Sequence, residues 1–346
     1  MIVQRDNAAD LLKGFAIVLL VMSHVLQFSA ADLGVNYIIP GCSGIVELWA
    51  RSFNMPLFFF VSGLLLGLKP TPDTWAGTGK FILHKMRTLL LPGVTFMLFR
   101  FVINDSLYID WFLKVLFGII VVFLLVRLAA NKLITHTHTH SRAWEVIMHL
   151  MIFLIWLGVS FIWKGDIPSR LCFHRAAMSY PYLVMGYYFT TMNGKAYIQQ
   201  HNWVITLAIL LFIGAFYISS YILTGRVASY VTAYIAAPAA ILVCYQIANG
   251  LKDRQGRILD AVKYCGKHSL AIYLIHMYFM VYCTAFATYI SGVSASFSLF
   301  LQVVFGLACA IPICAICLGI EYVLSQSKVL NLICFGKLEK GNKNDT

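Results

Sequence analysis

Two residues able to do chemistry interrupt an apolar stretch, DLLKGFAIVLLVMSHVL at positions 10 to 26. Lys13 brings a positive charge that attracts anions. His24 brings an imidazole whose ordinary pKa lies near neutrality, so it can take a proton from a hydroxyl and return it at working pH. The two lie eleven positions apart. In an α-helix that is three turns, roughly 16 Å along the axis and about 20° around it, so both side chains leave the same face. Asp10 stands one turn before Lys13 and can offset its charge.

Other polar groups lie in or beside apolar runs. An ionisable group at the centre of a membrane helix costs about 2.5–3.5 kcal/mol on insertion scales, so each needs a reason. Arg100, Lys114 and Arg175 read as side chains reaching an interface, and His149 as a core histidine with a hydrogen-bond partner. Tyr273 and His276 are one turn apart on one face, which fits a substrate cavity and a buried hydrogen bond equally. Asn54, Met55 and Pro56 read as a break at the start of the second run. Ser62 with Gly63 gives a notch for close helix packing, and Asn54 and Ser62 are also candidate substrate contacts. Glu47, in the loop between the first two runs and followed by Trp49 and Arg51, is either a sugar contact or a solvated charge. Pro92 is expected to kink the third run.

These residues need a membrane-spanning scaffold to hold them. The 346 residues are 60% hydrophobic and only 12% charged, with a mean hydropathy of +0.79, a composition that excludes an ordinary soluble domain. Runs of about 20 apolar residues cross the hydrocarbon. Ten candidates fall near 9–28, 52–68, 88–104, 111–129, 145–163, 174–191, 203–223, 229–249, 268–290 and 297–324, the third entering as one helix from a basic turn at 80–87. The fold class is therefore all-α, a polytopic transmembrane helical bundle of about ten spans. With the amino terminus inside, nineteen of the 26 lysines and arginines fall on the cytoplasmic side, which places both termini in the cytoplasm. The net charge of +12 is carried by short loops beside apolar spans, so it signals topology rather than a nucleic-acid partner.

The first run reads as a span and not as a cleaved leader. Residues 1–324 are expected to form a single transmembrane domain, with 325–346 as a cytoplasmic tail. Cys314 and Cys317 form a C-x-x-C inside an apolar run with no second pair, and THTHTHS at 135–141 reads as a solvated connector, so no metal is expected.

The sequence resembles the acyltransferase 3 family of integral-membrane acyltransferases, the type that includes fucose O-acetylase-like proteins and O-antigen and exopolysaccharide acetylases. Four ordered stretches carry the likeness: RDNAADLLKGFAIVLLVMSH, FNMPLFFFVSGLLLG, HKMRTLLLP and SLAIYLIHMYF. WFLKVLF and YLVMGYYF add to it. The family's opening motif is a basic residue, ten others and a histidine, and Lys13 and His24 fill those places. Many members have arginine where this chain has Lys13, and His84 replaces the first arginine of a frequent Arg-x-x-Arg pair completed by Arg87.

The resemblance implies an O-acyltransferase that moves an acyl group, usually acetyl, from cytoplasmic acetyl-CoA or another acyl-CoA to a hydroxyl of a glycan or lipid-linked sugar. It implies His24 as general base or nucleophile with Lys13 beside the donor, and His84, Lys85 and Arg87 as the holders of the coenzyme A phosphates. It also implies a multi-pass protein of a bacterial inner membrane. The acceptor, the acyl group and the oligomeric state stay open. A transporter or flippase for a glycan or lipid precursor is the competing class, although the two halves show no repeat.

Overall fold

The computed structural model describes residues 6–31, 45–104, 110–137, 142–163 and 165–337. Among them every regular element is helical: α1 (Asn7–Ala31), α2 (Ile45–Gly67), α3 (Trp75–Lys85), α4 (Leu91–Asn104), α5 (Trp111–Thr137), α6 (Arg142–Ile162), α7 (Asp166–Arg170), α8 (Phe173–Thr191), α9 (Gly194–Gln200), α10 (Asn202–Tyr217), α11 (Gly225–Val231), α12 (Ala237–Leu251), α13 (Arg257–Lys267), α14 (Ser269–Ile275), α15 (Thr284–Ser291), α16 (Ala295–Ser325) and α17 (Lys328–Phe335). Eight segments of the described residues are long and apolar enough to cross a membrane, or nine if α14 and α15 count as one bent span. The protein is an all-α, multi-pass membrane protein.

Five expectations need correction. The run at 174–191 does form α8, but His174 and Arg175 with its tyrosines, serine and threonines keep it below the apolarity of the others. The run at 268–290 is not one helix: α14 ends in a 3-10 turn at His276–Phe279, and α15 leaves at 90°. Asn54-Met55-Pro56 breaks nothing, because α2 begins at Ile45 and runs through Pro56. That earlier start also puts the backbone of Glu47 in the first turn of a helix rather than in a loop, while its side chain lies outside the described residues. The histidine tract is helical through Thr137, and its remainder lies outside the described residues.

The third span enters as one helix, as its basic start suggested, through α3, a π turn at Met86–Leu90, and α4. Pro92 lacks an N–H and its ring crowds the carbonyl four residues back, so the ladder must loosen just before it. The observed distortion is that π turn.

The chain divides into two compact units, Met1–Ser62 with Phe189–Ile320, and Gly63–Tyr188 with Glu321–Thr346. In the first, Asp6 caps α1 by accepting from the N–H groups of Ala8 and Ala9 at 2.9 and 3.4 Å. Ala16, Ile17, Val21 and Val25 of α1 are wholly buried, as expected of a helix apolar on all sides. Its closest partner is α13, whose polar face carries Arg257, Asp260, Lys263 and Lys267. A Cβ on Gly14 would stand 1.9 Å from the Val262 carbonyl oxygen, and one on Gly266 would stand 1.8 Å from that of Asp10. Glycine at both places lets the two backbones touch.

In the second unit, α5 buries Leu113, Ile119, Ile120, Phe123 and Leu124. Gly63 fits against α8 in the same manner as Gly14 against α13, since a Cβ there would lie 1.9 Å from the Leu183 carbonyl oxygen. The helix α17 docks on α4: the Thr95 hydroxyl donates to the Ile333 carbonyl at 2.8 Å, and Phe335 packs by Phe96. Gly336 ends α17 at φ +65°, where a Cβ would come within 2.4 Å of the Arg87 carbonyl oxygen.

Candidate active site

The N-terminal third of α1 carries the ion pair that its spacing suggested. Lys13 Nζ lies 3.0 Å from Asp10 Oδ1, with the carboxylate side chain 4% exposed. The touching of α1 and α13 at Gly14 and Gly266 lies beside this pair, since Gly266 rests on the backbone carbonyl of Asp10 itself.

Three turns along the same face, His24 meets His276. The Nδ1 of His24 is 3.0 Å from the Nε2 of His276, and the two rings lie edge to edge, centroids 5.3 Å apart and planes only 5° apart. His276 is 1% exposed. It sits where α14 gives way to the 3-10 turn, and its Nδ1 lies 3.0 Å from the Ile272 carbonyl oxygen and 2.8 Å from that of Tyr273. The turn releases the chain into extended backbone at Met280, and the freed N–H of Cys283 donates to the Ser29 hydroxyl of α1 at 3.3 Å. Non-helical backbone at membrane depth persists only where such partners exist or a cavity is lined. Phe28 and Tyr282 extend the aromatic wall, at 5.3 Å from each other.

The other proposed substrate contacts in this unit divide. Tyr273 approaches His276 at 6.0 Å between rings, and its backbone oxygen is the part that bonds the imidazole. The Ser62 hydroxyl donates to the Phe58 carbonyl at 2.8 Å, a contact internal to its own helix. Asn54 is 2% exposed, and its Nδ2 finds no hydrogen-bond acceptor among the described residues. A buried donor of that kind asks for an explanation, and a ligand contact is one.

His84, Lys85 and Arg87 belong to the second unit, at the end of α3 and in the π turn. Arg87 Nη2 donates to His84 Nδ1 at 3.2 Å. That bond needs the lone pair of Nδ1, so His84 is neutral there and presents Nε2–H outward. Lys85 Nζ lies 5.4 Å over the Phe81 ring. The π turn widens the helix where Arg87 leaves it, and Gly336 backs the Arg87 carbonyl from the other side.

The remaining charged residues have structural partners. Lys114 donates to the Arg170 carbonyl at 3.0 Å, Arg100 lies 3.5 Å from Asp110, and Arg175 covers the Trp111 ring. His149 is a core histidine bonded to the Tyr180 hydroxyl at 2.6 Å and stacked on Phe123. Beside it is a buried pair the sequence reading missed: Arg127 Nε lies 3.0 Å from Glu145 Oε1, and Arg127 also bonds Thr71 and Tyr187. The available signal was Glu145 itself, a carboxylate at the head of an apolar run that needs a cation. Among the described residues no group of three or more metal-ligating side chains converges.

A family model described as an acyltransferase domain matches residues 6–319. No curated protein and no solved structure matches the chain.

Proposed function

The chain belongs to the acyltransferase 3 family, and on that premise we propose that this membrane acyltransferase moves an acetyl group from cytoplasmic acetyl-CoA to a hydroxyl of a cell-surface or lipid-linked glycan. The observation that carries this reading is the pairing of His24 with His276 at one end of a helix face whose other end holds the Asp10–Lys13 pair. A paired lysine at one end and a proton-handling pair at the other end of one face, roughly 16 Å apart, suit a long donor that runs along the face and brings its thioester to the histidines. His24 is the catalytic residue in this reading. Lys13 lies along the donor's path, His84, Lys85 and Arg87 hold its phosphates at the cytoplasmic face, and Asn54 offers its Nδ2 to donor or acceptor.

In this reading the chain lies in a bacterial inner membrane with both termini cytoplasmic, as the bias of its lysines and arginines supports, so that the donor enters from inside and the product is delivered outward. The break between α14 and α15 is the one observation that also suits a transporter, whose binding sites often use discontinuous helices. Acetate released by alkali from surface glycans separates the two. It is measured in cells with the protein, without it, and with His24→Ala at matched membrane levels. Loss of the same acetate in the deletion and the variant supports the proposal. Acetate unchanged in both overturns it and favours translocation; loss in the deletion alone keeps the activity and removes His24 from its centre.

A further inference from the structure

The hydrogen bond between His24 and His276 can run in only one sense. A backbone carbonyl accepts and never donates, so the Nδ1 of His276, placed against the Ile272 and Tyr273 oxygens, carries a hydrogen. In a neutral imidazole the other nitrogen is then an acceptor. His276 Nε2 therefore receives a hydrogen from Nδ1 of His24, and the lone pair of His24 resides on Nε2. Charging either ring in this apolar surround is costly, so the neutral pair is the resting state.

The broken span supplies the orientation. Ile272 and Tyr273 lie in the last turn of α14, and the Ile272 oxygen, with two lone pairs, takes both the backbone N–H and the ring hydrogen of His276. Because the ladder stops after Phe279, the His276 ring can fold back on that turn and still face α1. The near-coplanar rings aim the in-plane lone pair of His276 Nε2 along the bond.

The geometry points to His276 as a positioning residue: it fixes His24 as the Nδ1–H tautomer and makes Nε2 the reacting nitrogen. This rests on the acyltransferase reading. In the transfer, Nε2 takes the proton of the acceptor hydroxyl as its oxygen attacks the thioester carbonyl. The carbon–sulfur bond breaks, and the departing thiolate takes that proton from Nε2, leaving an ester and a free thiol. The Nδ1 hydrogen stays in the bond to His276 throughout, and that bond shares the positive charge that His24 holds between the two proton movements.

The test uses the full chain in lipid nanodiscs with 15N-labelled histidine, where two-bond 1H–15N correlations identify the tautomer. His24 is expected to show the Nδ1–H pattern, to lose it in His276→Ala, and to keep it in His276→Gln, whose Oε1 can accept the same hydrogen. Acetyl transfer from acetyl-CoA is expected to fall by about 100-fold or more in His276→Ala at unchanged KM, and to stay within about 10-fold in His276→Gln. An Nε2–H pattern for His24 in the unaltered protein overturns the inference, as does a His276→Ala variant with full transfer rate. The tautomer reports on the pair whether or not an acyl group moves. The expected pattern together with acetate indifferent to His24→Ala therefore sinks the acyltransferase site, and with it the reacting role of Nε2, while the sense of the hydrogen bond stands.

Discussion

Gly14 lies so near α13 that the Cβ it lacks would stand 1.9 Å from the carbonyl oxygen of Val262. A backbone oxygen cannot step aside as a side-chain tip can, so one methyl group must push the helices apart. Gly14→Ala is expected to cost about 1–3 kcal/mol and to lower acetyl transfer as well, because the same contact adjoins the Asp10–Lys13 pair. Thermal unfolding of purified protein, alongside transfer per folded molecule, reads both; an alanine variant with unchanged unfolding temperature would contradict the packing.

Asn54 gives the opposite expectation. Its buried Nδ2 bonds to nothing among the described residues, so the fold gains little from that donor. Asn54→Leu, similar in volume, should leave the unfolding midpoint within a few degrees and still reduce acetyl transfer by about 10-fold or more, since a site that offers a donor loses it. A large fall in the midpoint would mean that the amide serves the fold.

For Arg127 and Glu145 the fold is the whole of the effect. Arg127→Met leaves Glu145 buried and uncompensated, at a cost of about 3–5 kcal/mol. Adding Glu145→Leu should recover most of it, because replacing both charges removes the burden of desolvating either. A double-mutant cycle of unfolding free energies checks this, and additive losses would exclude a coupled pair.

Gly336 connects α17 to the proposed phosphate holders. Its φ of +65° and its 2.4 Å clearance from the Arg87 carbonyl leave no room for a side chain. Gly336→Val is expected to raise KM for acetyl-CoA several-fold with little change in kcat, by shifting the π turn that carries Arg87. Isothermal binding of coenzyme A gives a second reading, and unchanged affinity would separate α17 from the donor site.

Much of the scaffold and the first helix was legible because one-dimensional signals suffice there. Apolar runs of membrane length mark helices whatever their partners, and the eleven-residue spacing of Lys13 and His24 fixes a shared face without any tertiary knowledge. Asp10 was readable as the partner of Lys13 for the same reason: one turn of a helix brings them together. The partner of His24 was different, since 252 residues separate it from His276 and no periodicity spans that distance. The break after Phe279 was also hidden, because no glycine or proline marks it; the apolar run continues while Ser29 of another helix takes the Cys283 N–H. Arg127 and Glu145 stand in two successive apolar runs, and no spacing along the chain pairs them; they meet because α5 and α6 pack side by side.

The locality of the Asp10–Lys13 pair has a consequence for synthesis. The helix packed beside the pair, α13, begins at Arg257, so α1 leaves the ribosome and meets the bilayer long before that neighbour exists. Both charges travel within one turn of the same helix, and α1 therefore arrives already neutralised at that point. A lysine whose counter-ion came from α13 would have to wait alone in the lipid for more than two hundred residues of further translation.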